Sequence, residues 1–424
     1  MPRNGRLGIL VGGGPAPGIN SVIGAATIRA RLGGVDVLGI QDGFEHLIAG
    51  ELETVRPLSI DDVSRIHFRG GSILGTSRAN PTIDAQRLER VVRSLSELGI
   101  KRLVTIGGDD TAYSALRVEE ASQRRLQVVH VPKTIDNDLD LPHEIDTFGF
   151  QTARHVGSDL VRNIMVDAAT TSRWYFIIAM GRKTGHLALG IGKATGATLS
   201  LIPEEFGGKE VALGTVVDSL VGSVLKRMSQ GRRHGVAVVA EGVALSIREE
   251  DLGSLEGVER DAHGHVRIAE VDIGEILKRA VREQLAELGV KLTIVSKNVG
   301  YELRCADPIP FDMEYTRDLG FCAVEYLLAG GTGVMVSMQG DRFVPVPLLT
   351  LVDPDTGRTR VRYVDIASEG YGIARRYMIR LERADFTDPD SLARLAAVAG
   401  LTPEAFSDRF GYLAELAPPT VQIS

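Results

Sequence analysis

Short apolar runs alternate with longer amphipathic segments along most of this chain. Residues 7–11, 36–40, 102–106, 127–131, 174–180, 198–202, 236–240 and 291–295 read as strands. Helical periodicity falls between them, over 18–32, 85–98, 110–123, 152–170, 211–229 and 274–288. The strand candidates are rich in β-branched residues and show little alternation, the pattern of strands covered on both faces. An α/β fold with mostly parallel sheet is therefore expected. Beyond about residue 340 the pattern changes. Residues 353–359 read as a turn between strands, and helices are expected over 391–399 and 402–415, the second opened by Thr402-Pro403. The polar stretch 247–266 reads as a surface excursion, and the tail as a structural or subunit-contact appendage without chemistry of its own.

With 424 residues, 44% apolar and 24% charged, the chain has room for two or three domains and can bury a large core. The net charge of −7 argues against a nucleic-acid surface but allows a local basic pocket. Cys305 and Cys322 fit neither zinc nor redox spacing and read as buried thiols of a reducing compartment. The amino terminus enters a strand without a signal-peptide apolar region, and no run is long enough to cross a bilayer. A cytoplasmic protein with no membrane or nucleic-acid partner is expected.

Chemistry concentrates where strands end. Gly107-Gly108-Asp109-Asp110-Thr111 follows the strand at 102–106, and Pro132-Lys133-Thr134-Ile135-Asp136-Asn137-Asp138 follows the one at 127–131. Ligands of open α/β sheets bind beyond the carboxyl ends of strands. These two loops gather four carboxylates and a lysine, a set suited to metal-assisted phosphoryl transfer. One carboxylate of the first loop can hold Mg²⁺ directly or through water, since magnesium takes few protein ligands. The same pair can instead cap the next helix. Asp136 can accept a proton from an attacking hydroxyl, Asp138 can orient it, and Lys133 can offset phosphate charge. An Asx-rich turn making only backbone bonds uses the same letters.

Further strand-end segments extend the series. Glycines of 12–20 open a first helix and suit an anion, though the spacing is neither Gly-x-Gly-x-x-Gly nor a P-loop. The segment 70–78 ends in Arg78, which can clamp a transferring phosphoryl group or simply be solvated. Met180-Gly181-Arg182, Glu241-Gly242 and Tyr301–Arg304 add polar groups that singly suit structural roles and jointly form a series at strand ends on one face of a sheet.

In this order the segments resemble the 6-phosphofructokinase family over about residues 5–330, and its pyrophosphate-dependent branch most closely. The resemblance implies two Rossmann-like, three-layer lobes. One comprises 1–147 plus about 303–340 and takes the phosphoryl donor. The other, 148–302, takes the sugar phosphate, and an extension from about 341 to 424 packs on the lobes or on a neighbouring subunit. It implies reversible, glycolytic phosphorylation of fructose 6-phosphate at the 1-hydroxyl by pyrophosphate, with Mg²⁺. Asp136 would be the base, with Lys133, Asp110 and Arg78 also catalytic, Asp109 on the metal, and Gly13 and Gly14 on the diphosphate. Thr134, Ile135, Asp136, Asp138, Met180, Gly181, Arg182, Glu241, Tyr301 and Arg304 would hold the sugar phosphate. Arg173 would reach it from a neighbouring subunit, which implies a homodimer or homotetramer.

Within this resemblance Asp110 stands where ATP-using members commonly have glycine. A carboxylate there fills the place of the α-phosphate and repels a longer donor. Lys133 replaces a glycine of many bacterial ATP enzymes, and Tyr301 a histidine. Gly24 and Ile28 replace basic effector ligands, so weak nucleotide control is expected. The competing readings are an ATP-dependent phosphofructokinase, a lipid or NAD kinase, and a noncatalytic subunit that binds sugar phosphate. The last is expected to lack Asp109 or Asp136.

Overall fold

In the computed structural model, which describes residues 5–141, 145–208, 210–253, 271–351 and 360–416, the chain divides into two units. The first is Met1–Ala153 with Tyr301–Arg362, the second Arg154–Gly300 with Tyr363–Ser424. Strands of the first are β1 (Arg6–Val11), β2 (Val37–Gly39), β3 (Arg56–Leu58), β4 (Ile100–Gly107), β5 (Gln127–Thr134) and β6 (Phe148–Gly149). Those of the second are β7 (Trp174–Ala179), β8 (Leu199–Leu201), β9 (Gly235–Ala240) and β10 (Ile294–Val299), after which β11 (Val334–Met335) rejoins the first.

The first sheet runs β11-β5-β4-β1-β2-β3. It is parallel from β11 to β2 and antiparallel at both margins, where β3 and Val346–Pro347 pair. Alternation sorts its side chains into two cores. Leu7, Ile9, Val11, Val104, Ile106, Val129 and Val131 pack with the helices Ile19–Leu32 and Pro310–Leu328. Leu10, Leu103 and Val128 pack on the opposite face with Ala85–Glu97 and Asp109–Ala121. Each such side chain stabilises the unit by about 1.5–3 kcal/mol.

The helix Pro310–Leu328 was absent from the expected elements. Its buried face carries Asp312, Thr316, Gly320 and Ala323 among the leucines, so no apolar stripe shows in sequence. Gly320 lets it approach the first helix: a Cβ there would lie 2.6 Å from the Val22 carbonyl oxygen.

The second sheet, β10-β7-β9-β8, is parallel throughout. Its last strand occupies Ile294–Val299 rather than 291–295, because β10 is an edge that leaves Lys297 and Asn298 exposed and so lacks an apolar run. Trp174 is fully buried at the start of β7, where a Cβ on Gly235 would meet its ring at 2.6 Å. The C-terminal helices are Pro389–Ala399 and Pro403–Phe410, the second capped by the Thr402 hydroxyl, which accepts from the Ala405 amide at 3.2 Å. An Arg380–Glu205 fork, with both bonds at 2.7 Å, and a Lys226–Asp385 pair at 2.7 Å fix where this segment docks.

The turn expected at 353–359 lies outside the described residues, as does the surface excursion from 254 to 266. Both cysteines are free, but Cys305 is exposed and Cys322 only half-buried, contrary to the expected burial. Cys305 immediately follows the short helix Tyr301–Arg304, in a surface loop. Among the described residues no helix is long and apolar enough to cross a membrane.

Candidate active site

β1, β4 and β5 are parallel neighbours, so their following turns emerge at one edge of the first sheet. The Gly12 amide donates to Ile106 O and the Gly13 amide to Ser77 O, both at 2.8 Å, while the Thr76 hydroxyl donates to Gly13 O at 2.5 Å. These two amides are thus engaged within the protein. What the turn offers an anion is space beside cations. A Cβ on Gly13 would lie 3.4 Å from Lys133 Nζ, and one on Gly14 3.5 Å from the Arg304 Cζ. Gly13 also holds φ +81°, which favours glycine. Arg78, exposed, follows the Ser77 that anchors this turn.

Lys133, at the end of β5, is 5% exposed and donates to the Gly14 carbonyl. Burial lowers its pKa from the ordinary lysine value to about 8; Asp136, Asp138 and Asp109 pull it up, and Arg304 pushes it further down. The lysine therefore sits within the electrostatic reach of three carboxylates and a guanidinium. Arg304 lies 5.0 Å from the exposed Tyr301 ring centre, in cation–π contact. The N-cap of the helix Asp109–Ala121 is Gly108, so the aspartates are its first two residues rather than its caps. Asp109 is half-buried and Asp110 exposed. Both carboxylates also suit the positive end of the helix dipole.

In the turn after β5 the structural and chemical roles separate. The Thr134 hydroxyl accepts from the Asp136 amide at 3.0 Å, and Ile135 is buried. Asn137 takes the left-handed conformation, φ +57°. Its side-chain oxygen accepts from the Thr147 amide at 2.9 Å, and its nitrogen donates to Asp146 at 2.8 Å. Asn137 is thus the residue whose side chain builds the turn, with Asp136 and Asp138 buried on either side of it.

In the second unit one Glu241 oxygen accepts from the Gly181 amide at 3.0 Å and the Arg182 amide at 2.7 Å. This carboxylate holds Arg182 at φ +51°, a conformation costing about 1–3 kcal/mol. Met180 is half-buried, and its amide donates to Val299 O at 3.0 Å; Arg182 is exposed. Arg173 is not brought to this turn. It precedes β7 at the opposite end of the strand, about 20 Å from Met180 at the usual rise per residue.

The phosphofructokinase family model matches residues 6–327. A pyrophosphate–fructose 6-phosphate 1-phosphotransferase of Thermotoga maritima is 55% identical over 417 residues, covering 97% of this chain and 99% of the relative. The chain belongs to the phosphofructokinase family. A second enzyme of that name, from Naegleria fowleri, is 50% identical over 418 residues and 96% of each chain. The fold of this phosphofructokinase matches that of a pyrophosphate-dependent phosphofructokinase from Nitrosospira multiformis. The TM-score is 0.67 at 18% identity, covering 92% of this chain and 91% of the other.

Three residues of the first unit that support its loops had no signal in the sequence. His130, fully buried on β5, bonds Gly107 O through Nε2 at 3.0 Å and the Thr105 hydroxyl through Nδ1 at 2.9 Å. The carbonyl can only accept, so Nε2 carries the proton and Nδ1 accepts from Thr105. Burial lowers the His130 pKa to about 3, which keeps it neutral under the Gly107–Asp110 turn. Asp312 accepts from the Gly149 amide at 2.9 Å and the Thr152 amide at 2.8 Å, and burial raises its pKa. Arg362, from the tail expected to carry no chemistry, is buried against the Asn137 turn. Its partners are more than 200 positions away, beyond any local pattern.

Proposed function

We infer that this phosphofructokinase transfers a phosphoryl group from pyrophosphate to the 1-hydroxyl of fructose 6-phosphate, giving fructose 1,6-bisphosphate and phosphate. The observation that carries this reading is the buried Lys133, bonded to Gly14 at the glycine turn, together with the Asp110 carboxylate in the first turn of the next helix. The ammonium suits the short, highly charged donor, and the carboxylate opposes an α-phosphate. Two relatives alike over nearly the whole chain, both named as pyrophosphate enzymes, support the same donor.

Pyrophosphate would lie against Gly13 and Gly14, its charge balanced by Lys133 and Arg78. The sugar 1-oxygen attacks the near phosphorus in line while its proton passes to Asp136. The bond to the bridging oxygen breaks, and the departing phosphate keeps that electron pair beside Lys133. In reverse, protonated Asp136 returns the proton to the sugar oxygen. Asp138 orients Asp136.

Asp109 and the donor's oxygens are the ligands we assign to Mg²⁺. The donor set fits that hard ion: Asp109 is a half-buried carboxylate in the first helical turn after β4, and magnesium is usually held by one or two carboxylates, phosphates and water. When bound, it would neutralise charge on the transferring phosphoryl group.

By the resemblance, Thr134, Ile135, Met180, Gly181, Arg182, Glu241, Tyr301 and Arg304 are assigned to the sugar phosphate. Arg173 is assigned to the site of a neighbouring subunit, and the enzyme is accordingly a homo-oligomer. The reaction belongs to cytoplasmic glycolysis. ³¹P NMR tests the reading: pyrophosphate and fructose 6-phosphate with Mg²⁺ should yield a 1-phosphate ester and phosphate in equal amounts, and the reverse mixture should yield pyrophosphate. Persistence of pyrophosphate in the forward mixture would refute it.

A further inference from the structure

The residues that immediately precede the second unit's C-terminal segment reach back to the turn of the proposed base. Val361 pairs antiparallel with Leu139, and the Arg362 amide donates to Asp138 O at 2.9 Å. The Arg362 side chain, 5% exposed, then spreads over three acceptors. Nε donates to Asn137 O at 3.1 Å, Nη1 to Ile145 O at 2.7 Å, and Nη2 to the Asn137 side-chain oxygen. Asp146, Asp138 and Asp140 surround the guanidinium with negative charge.

We propose that Arg362 is a positioning residue for the catalytic turn, so that chain beyond the family-matched residues 6–327 fixes the geometry of the base. Asn137, left-handed between Asp136 and Asp138, decides where those two carboxylates point. Arg362 grips both its carbonyl and its side-chain oxygen, and ties them to Ile145 across the loop. A planar fork with several fixed donors can hold three acceptors at once. A lysine supplies charge from a single nitrogen and cannot reproduce that pattern. Removing the fork leaves buried carbonyl oxygens unpaired and frees the turn to rotate. The donor cradle of Gly13, Gly14 and Lys133 makes none of these bonds, so the loss should fall on turnover rather than on donor binding.

The proposal rests on Asp136 being the base, and the test begins with the wild-type full chain. A wild type inactive with pyrophosphate overturns the functional reading and this proposal together. With an active wild type, Arg362→Ala should lower kcat about 100-fold, the size of loss expected for a misplacement of about 1 Å. KM for pyrophosphate should stay within about threefold. Added guanidinium ion should restore turnover to Arg362→Ala and leave Arg362→Lys unchanged. Arg362→Lys should fold with an intermediate kcat, which keeps the test informative if the alanine variant fails to fold. Arg360→Ala, at an exposed neighbour, should behave as wild type. Wild-type kcat in folded Arg362→Lys or Arg362→Ala, a loss confined to KM or Tm, or an alanine loss that guanidinium does not rescue would each overturn the proposal and leave the functional reading standing.

Discussion

The turn after β5 and the turn after β7 both carry charged residues past the end of a parallel strand, yet they are built in opposite ways. After β5, Lys133, Asp136 and Asp138 are all buried, and the backbone between them accepts from the Thr147 hydroxyl at Thr134 O and from Arg362 at Asn137 O. After β7, one Glu241 oxygen holds two amides, and Arg182 is exposed. The first arrangement suits atoms that must be placed to a fraction of an ångström for bond making. The second suits an anionic ligand that an exposed guanidinium and one fixed backbone turn are sufficient to hold. Substitutions should therefore act on turnover in the first turn and on sugar affinity in the second.

The sharpest break in that comparison is Asp136→Ser, which should reduce kcat by about 10²–10⁴-fold with unchanged Tm. A coupled assay of fructose 1,6-bisphosphate formation reads it, and near-normal turnover would remove Asp136 as the base. Next in size, Glu241→Ala should raise KM for fructose 6-phosphate about tenfold or more while kcat changes less, since it frees a strained backbone turn. Glu241→Gln keeps an acceptor oxygen and should recover most of that loss. If the Ala variant lowers kcat alone, the division of labour fails.

The smallest effect is in pH. Lys133 titrates near 8 in the folded chain against an ordinary value of 10.5. Between those values the unfolded chain binds the proton and the folded chain does not, so this group makes stability rise with pH across that window. Donor affinity runs the other way, because the ammonium is lost above about pH 8. The kcat/KM for pyrophosphate should fall on that alkaline side, and Lys133→Arg, which stays charged, should lose that limb. An identical limb in the arginine variant would assign the titration elsewhere.

Much of this was legible in sequence for a physical reason. The central residues of β1, β4 and β5 are buried on both faces, so each is a mainly apolar run, broken by Gly8, Thr105 and His130, that stops where glycine, lysine and aspartate begin. The edge strand β10 has no such run, and its ends were misplaced. The helix Pro310–Leu328 hides its buried face behind Asp312, Thr316 and Gly320. His130 is one polar letter in an apolar strand, and only the alternation of β5 toward Thr105 gives it a role. Arg362 meets Ile145 across 217 positions, a pairing no local pattern encodes.

The central claim is that Lys133 and Asp110 select the short inorganic donor, and initial rates on both donors test it most directly. At saturating fructose 6-phosphate, the wild type should turn over pyrophosphate and use ATP at less than about a hundredth of that kcat/KM, since a like-charge clash costs several kcal/mol. Asp110→Gly should narrow the gap by raising the ATP rate. Brisk wild-type turnover on ATP, or an unchanged donor ratio in Asp110→Gly, would contradict the account.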